Sequence, residues 1–145
     1  MFGHSEVTLT RPANNSSNYY SLAIFAYANI IWHMDTESLA AIFKTLSEPV
    51  RLRITYLLLE KGELCVCDLV DTLELSQSVV SRHLAYLRNN NLVSTRREGV
   101  WIYYRITECC CEPLFEYIRQ SGEKNAEMQA DVARLETVAQ HAKCG

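Results

Sequence analysis

The side chains with the greatest capacity for chemistry in this sequence are its thiols. Six cysteines occur in 145 residues, and five of them form two tight groups: a pair at Cys65 and Cys67, and a run at Cys109, Cys110 and Cys111. Thiolates are soft ligands that prefer thiophilic ions. Groups this tight do not resemble an ordinary disulfide framework, so the sequence predicts reduced thiols in a cytoplasmic protein, available to a metal or to redox chemistry.

The pair Cys65 and Cys67 stands at the expected start of a short helix. Residues two apart on a regular helix point to different sides, so we expect an ion bound by both sulfurs to distort that helix start. A position at a helix N-terminus should also favour the thiolate form. The alternative is a pair of ordinary buried cysteines that pack as small apolar residues.

Apolar periodicity and capping residues predict six helices and one hairpin around these thiols. Thr36 is expected to cap the first helix, which carries Leu39, Ile42, Phe43 and Leu46. Further helices are predicted over 49–62, 67–73, 77–89, 108–120 and 123–143, and strands over 92–96 and 100–106, with a turn at 97–99. The last helix has heptad-like spacing, and it either pairs with a second copy or covers the core.

The helices over 67–73 and 77–89, followed by the hairpin, predict a mainly α fold with a small β-hairpin (α+β), the winged helix-turn-helix. In this fold the second helix enters the DNA major groove. The candidate base and phosphate contacts are Ser76, Gln77, Ser78, Ser81, Arg82 and His83 on that helix, and Arg96 and Arg97 on the wing. A Cys–His catalytic pair is disfavoured because His83 lies on the groove helix, so we predict no enzyme.

The distribution of charge supports a local site for a polyanion. The chain has a net charge of -3, yet residues 76–106 contain five arginines and one glutamate. A basic segment inside an acidic protein is typical of a confined nucleic-acid site.

Three segments of this sequence strongly resemble the ArsR/SmtB family of metalloid- and metal-responsive repressors. They are Leu46-Ser-Glu-Pro-Val-Arg-Leu-Arg-Ile54, Glu63-Leu-Cys-Val-Cys-Asp-Leu69 and Ser76-Gln-Ser-Val-Val-Ser-Arg-His-Leu84. The resemblance implies a homodimer that uses its first and fifth helices as the interface. It also implies a repressor of a two-fold operator in double-stranded DNA, released when trivalent arsenic or antimony, As(III) or Sb(III), binds the cysteines.

The sequence departs from the family pattern at Val70, where arsenite sensors with this motif carry a third thiol. One of Cys109, Cys110 and Cys111 could complete the site, within a chain or across the dimer, or the run could form a second site. Three successive helical residues cannot all converge on one ion. Cd(II) or Pb(II) is the alternative inducer, and a thiol redox switch is the other alternative. In the family that this sequence resembles, zinc and nickel sites on the fifth helix use histidine and carboxylates. The predicted fifth helix has no histidine, so zinc or nickel sensing is disfavoured.

The chain divides into an N-terminal extension over 1–33, a DNA-binding and sensor domain over 34–122 and a C-terminal helix over 123–145. No apolar run is long enough to span a membrane. The segment Ile24–Ile30 can be back-translated as ATATTCGCATATGCGAATAT, which equals its own reverse complement. We therefore hypothesise that 1–33 is translated upstream DNA containing the operator; the alternatives are a mobile tail, an added helix or a signal peptide.

Overall fold

The computed structural model of the protein describes residues 35–108 and 111–142. Its elements are α1 (Thr36–Leu46), α2 (Pro49–Lys61), β1 (Glu63–Cys65), α3 (Val66–Leu73), α4 (Gln77–Asn89), β2 (Val93–Glu98), β3 (Trp101–Ile106), α5 (Glu112–Gly122) and α6 (Ala126–Ala142). The mainly helical fold with a small antiparallel hairpin is thereby confirmed. The chain separates into the units Met1–His33 and Met34–Gly145. The hypothesis about the first unit lies outside the described residues.

Side-chain caps fix where the first two helices begin. Asp35, rather than the expected Thr36, caps α1, and its carboxylate accepts a 2.7 Å hydrogen bond from the backbone N–H of Ser38. An extended residue whose oxygen reaches the third N–H of the helix satisfies one of its unpaired donors. Glu48 does the same for α2 through the N–H of Arg51, at 3.0 Å. Gly62, at φ +81°, ends α2 in a conformation that glycine adopts without strain.

The core lies where α2, α3, α4 and α5 meet. Its fully buried members come from each of these helices and include Ile54, Leu57, Leu69, Leu84 and Phe115. Burying apolar side chains of this size is the main favourable contribution to folding. The two helices of the predicted DNA-binding unit are therefore held by the same core as the rest of the domain.

A three-stranded antiparallel sheet with the order β1-β3-β2 forms the wing. The short strand β1 is absent from the sequence-based prediction, and it pairs with the central strand β3 so that Cys65 lies opposite Tyr103. Three residues give too little alternation to be recognised as a strand, and only pairing with β3 defines it. The thiol pair is therefore attached to the wing through backbone hydrogen bonds.

The hairpin turn is shorter than the sequence predicted. Arg97 and Glu98 belong to β2, where they pair with Ile102 and Trp101, and the two linking residues are Gly99 and Val100. Gly99 has φ +60°, as two-residue hairpin turns require. The expected turn at 97–99 is thus wrong by two residues, and the hairpin extends further from the core.

The C-terminal helix α6 packs against α2 and α3. Leu135 is buried, and Met128 and Val132 pack against the core. Arg53 of α2 forms two 2.7 Å hydrogen bonds to the carboxylate of Asp131, which is almost completely buried. This geometry is that of a paired buried charge rather than an isolated one. Helix α6 therefore covers the core of its own chain.

In the part of the chain that the structure describes, none of the helices has the length and apolar character needed to traverse a bilayer.

Candidate nucleic-acid interface and metal centre

Helices α3 and α4 form a helix-turn-helix unit. Glu74 ends α3 in the left-handed conformation, at φ 55°, and Ser76 is the extended residue before α4. Leu73, Val80 and Leu84 are buried between these helices and the rest of the core. The tight turn and shared apolar contacts hold α4 at a fixed angle to α3, as a groove-reading helix requires.

The N-terminal half of α4 presents a polar surface to solvent. Five predicted DNA contacts are exposed there: Ser76, Gln77, Ser78, Ser81 and Arg82. The hydroxyls of Ser76 and Ser78 lie 3.1 Å apart, and the guanidinium of Arg82 forms no hydrogen bond or ion pair with any residue the structure describes. The structure thus places these five predicted DNA contacts together at the solvent-exposed N-terminal end of α4.

His83 differs from these neighbours because it faces the protein. Its side chain is 15% exposed, and Nδ1 lies 3.4 Å from a carboxylate oxygen of Glu48. Glu48 is also the N-cap of α2. This geometry positions His83 to connect α4 with the start of α2.

Arg96 on the wing is held by neighbouring carboxylates. Its guanidinium lies 2.7 Å from Glu63 of β1 and 2.5 Å from Glu98 of β2. It also stacks 4.7 Å from the ring centroid of Tyr103. The hydrogen bond from Arg96 holds the pKa of Glu63 below its usual value. The positive charge of Arg96 is thus balanced by carboxylates within the sheet.

Arg97 lies on the opposite face of β2, because side chains alternate along a strand. Its Nε donates a 3.0 Å hydrogen bond to the carbonyl of Gly99 in the hairpin turn. No carboxylate among the described residues pairs with it, so its charge stays available at the wing tip.

The thiols of Cys65 and Cys67 converge at the junction of β1 and α3. In the structure they are joined as a disulfide, with Cα atoms 5.4 Å apart, whereas the sequence predicted reduced thiols. The expected distortion of the helix start by an ion bound to both sulfurs stays a prediction. Cys65 caps α3 from an extended conformation, at φ -81° and ψ 164°, so its sulfur meets that of Cys67 while α3 stays regular.

A capping box surrounds this pair. The backbone N–H of Asp68 donates to the sulfur of Cys65 at 3.3 Å, and the carboxylate of Asp68 accepts from the N–H of Cys65 at 2.9 Å. A reciprocal pair of this kind satisfies two unpaired donors at a helix start. An N–H directed at the sulfur also stabilises a thiolate there once the cysteine is reduced.

Asp68 adds a third donor that the sequence-based prediction did not include. One ligand atom from each of Cys65, Cys67 and Asp68 lies within 4.8 Å of the others. Cys65 is buried, and the other two are half-buried. The spacing Cys-x-x-Asp at a helix start could have identified Asp68 from the sequence. This spacing is that of a capping box, which places the carboxylate beside the sulfur.

The second group of cysteines is only partly described. Cys111 is buried and is the residue before α5, which begins at Glu112 rather than at the expected residue 108. Within residues 35–108 and 111–142, Cys111 does not belong to the Cys65 group of donors. Cys109 and Cys110 lie outside the described residues, so their proposed contribution stays a prediction.

Residues 48–95 match the model of the family described as "Bacterial regulatory protein, arsR family". The arsenic resistance transcriptional regulator ArsR2 of Pseudomonas putida is 41% identical over 92 residues, which cover 63% of this chain and 80% of that protein. A cadmium resistance transcriptional regulatory protein CadC homolog of Staphylococcus aureus is 36% identical over 96 residues, covering 66% of this chain and 74% of its own.

Solved structures show the same fold. Reduced HlyU from Vibrio cholerae matches with a TM-score of 0.55 and 34% identity over 59% of this chain and 88% of its own. A homodimeric winged helix-turn-helix domain from Mycobacterium bovis matches with a TM-score of 0.54 and 25% identity, covering 79% and 94%. The AntR antimony-specific transcriptional repressor gives a TM-score of 0.52 and 26% identity, covering 64% and 92%.

The α3–α4 unit, the wing and these similarities agree with one another. The donor groups belong to a DNA-binding architecture and not to a catalytic site. The chain belongs to the arsR family of bacterial regulatory proteins and is a winged helix-turn-helix transcriptional repressor.

Proposed function

We propose that this repressor releases its operator when trivalent arsenic or antimony binds the thiolates of Cys65 and Cys67. The observation that carries the proposal is the convergence of these two sulfurs at the first residues of the helix-turn-helix unit. Soft thiolates suit thiophilic ions. The similarity to an arsenic resistance regulator and to an antimony-specific repressor supports the same inducers.

The proposed DNA contacts follow from exposure and charge. The N-terminal half of α4 would read the major groove through Ser76, Gln77, Ser78, Ser81 and Arg82, whose polar groups can bond base edges or phosphates. On the wing, Arg97 would contact phosphate or the minor groove directly. Arg96 would do so after leaving Glu63 and Glu98, and His83 would act by holding α4 in position.

The proposed assembly is a homodimer formed through α1 and α5. Leu39 and Phe43 of α1 are 45% and 55% exposed, and Tyr117 of α5 is 68% exposed. Large exposed apolar side chains are typical of a surface that a partner covers. A two-fold dimer would require a two-fold operator. The self-complementary sequence ATATTCGCATATGCGAATAT, one way to encode residues 24–30, is the candidate probe.

The proposed signal passes from the thiols to both DNA-binding elements. Cys65 is the last residue of β1, which is hydrogen-bonded to the wing strand β3, and it is also the cap of α3. An ion on the two sulfurs would hold them at a bonding distance different from that of the disulfide or the free thiols. The junction between the wing and the helix-turn-helix unit would shift accordingly.

The test is operator release measured by fluorescence anisotropy, using the reduced full chain and the self-complementary duplex with a base-scrambled duplex as control. Arsenite should release the wild-type chain, and neither Cys65→Ser nor Cys67→Ser should respond. A variant with serine at 109, 110 and 111 shows whether that run supplies a further thiol. The mass of the complex should correspond to two chains per duplex. Normal arsenite release by both single variants would refute the proposed inducer site.

A redox switch is the second candidate, and the observation that favours it is the disulfide between Cys65 and Cys67. In that case oxidation to the disulfide would change operator affinity, reversibly and without any metalloid. Comparing the anisotropy of oxidised and reduced chains separates the two inputs. Release by oxidant alone, with no effect of arsenite on the reduced chain, would establish this candidate in place of the first.

A further inference from the structure

Glu74, the first residue of the turn between α3 and α4, has a backbone conformation that glutamate does not favour. It lies at φ 55° and ψ 38°, in the left-handed region. Most residues other than glycine enter this region at a cost in free energy. A strained residue persists only where the surrounding structure holds it. The contacts of Glu74 with the rest of the chain therefore decide whether the turn keeps its shape.

Arg134 of the C-terminal helix α6 contacts this turn from outside the helix-turn-helix unit. Its Nη2 lies 3.5 Å from a carboxylate oxygen of Glu74. Its Nη1 donates a hydrogen bond to the backbone carbonyl of Thr72, in the last turn of α3. The last carbonyls of a helix have no partner within the helix, and a basic side chain can satisfy them. One guanidinium thus holds both the end of α3 and the residue that starts the turn.

A buried carboxylate fixes the position of Arg134. Asp131, one helical turn before it, is 1% exposed, and its Oδ1 accepts a 3.2 Å hydrogen bond from Nη1 of Arg134. The same carboxylate accepts two 2.7 Å hydrogen bonds from Arg53 of α2. Charge-assisted hydrogen bonds of this kind define the geometry of the groups that they join. The contact between α6 and the turn is therefore anchored to the core helix α2.

The turn sets the angle between α3 and α4, and this angle determines how α4 enters the major groove. We propose that Arg134 is a positioning residue for operator binding. It holds Glu74 in the left-handed conformation and thereby fixes the orientation of α4, without touching the DNA itself. Helix α6 then supports the helix-turn-helix unit as well as covering the core. This role does not depend on the identity of the inducer.

The test measures the affinity of the reduced full chain for two duplexes by fluorescence anisotropy. One duplex is selected by the wild-type chain from a random pool, and the other is a base-scrambled version of it. Arg134→Ala removes the contacts with the turn, whereas Arg53 still pairs with Asp131, so the variant should fold. Lys61→Ala is the matched control, because it removes one positive charge and a 2.9 Å ion pair between α2 and Glu136 of α6.

We expect Arg134→Ala to weaken binding of the selected duplex about 3–30-fold, the range over which residues without ligand contact modulate binding. Binding of the scrambled duplex should stay nearly unchanged, whereas a mere loss of folded protein would reduce both affinities equally. The salt dependence should also stay the same, because no phosphate contact is removed. Lys61→Ala should leave the ratio of the two affinities unchanged.

Two substitutions of Glu74 separate the backbone conformation from the carboxylate. Glycine adopts the left-handed conformation without strain, and alanine does not. Adding Glu74→Gly to Arg134→Ala should therefore recover most of the affinity for the selected duplex. Adding Glu74→Ala, which removes the same carboxylate, should recover none of it.

Three results would overturn the assignment. Arg134→Ala could bind the selected duplex as tightly as the wild type, or it could lose the same factor on both duplexes. A reduced salt dependence of Arg134→Ala would show a direct phosphate contact in place of a positioning role. Equal recovery by Glu74→Ala and Glu74→Gly would show that the charge of Glu74, and not its conformation, is what Arg134 controls.

Discussion

Helix α4 and the wing hairpin were both predicted to bring positive charge to DNA, but the fold treats their charges differently. Arg82 on α4 forms no ion pair with a described residue and stays exposed. Arg96 on the wing is paired with Glu63 and Glu98 and stacked on Tyr103. The anchoring also differs: α4 has Val80, Leu84 and Leu87 fully buried, whereas Val100, Trp101 and Ile102 of the hairpin are 81%, 51% and 40% exposed.

The contribution of a basic residue to DNA binding therefore depends on whether carboxylates of the protein already pair with it. An exposed unpaired arginine can exchange counterions for a phosphate at little cost. A paired arginine must first give up its carboxylates, which then lie close to the DNA and repel it. Arg82 on α4 can therefore bind DNA directly, whereas Arg96 on the wing must first separate from Glu63 and Glu98.

The largest expected effect tests the difference in anchoring. Leu84→Ala removes a fully buried side chain of α4, and we expect a loss of about 2–5 kcal/mol in the free energy of unfolding. Ile102→Ala on the half-exposed wing should lose less than about 1 kcal/mol, because little apolar area is withdrawn from water there. Urea unfolding followed by circular dichroism measures both. Equal losses would mean that the wing is part of the core.

The next effect tests the difference in charge. Arg82→Ala should weaken operator binding by about 1–3 kcal/mol and reduce its dependence on salt, since the proposed phosphate or base contact is removed. Arg96→Ala should change the affinity by less than about 1 kcal/mol, as is usual for an exposed residue already paired. Anisotropy titrations at several salt concentrations measure both. A larger effect of Arg96→Ala than of Arg82→Ala would show that the contact of Arg96 with DNA outweighs the loss of its pairs with Glu63 and Glu98.

The smallest effect concerns pH. Because Arg96 lowers the pKa of Glu63 below 4.5, their interaction favours the folded state fully above about pH 4.5 and is lost as pH falls through the lowered folded pKa. The difference in melting temperature between wild type and Glu63→Gln should be constant near neutral pH and should disappear in acid. In an Arg96→Ala background this pH-dependent difference should be absent. A difference that grows in acid would contradict the pairing.

Much of the fold follows from local signals. Pro49 and Gly62 bound α2, and Ser76 precedes α4, because helix ends have strong residue preferences. The strand β1 was missed because three residues are too few to show the alternation of apolar and polar side chains that marks a strand. The hairpin turn was misplaced because Arg97 and Glu98 are polar although they pair in the ladder. Side chains on an exposed hairpin need no apolar alternation, so composition does not mark its limits.

The sequence alone determined the helix-turn-helix, the basic segment and the thiol pair, because periodicity, charge and spacing are local properties of the chain. The tertiary structure alone decided which charges are free. Glu63 and Arg96 are separated by 33 residues in the chain and meet only through the antiparallel pairing of β1 and β2 with β3. It also decided the surroundings of the thiols, because the extended backbone of Cys65 brings its sulfur to Cys67 and places the carboxylate of Asp68 beside them.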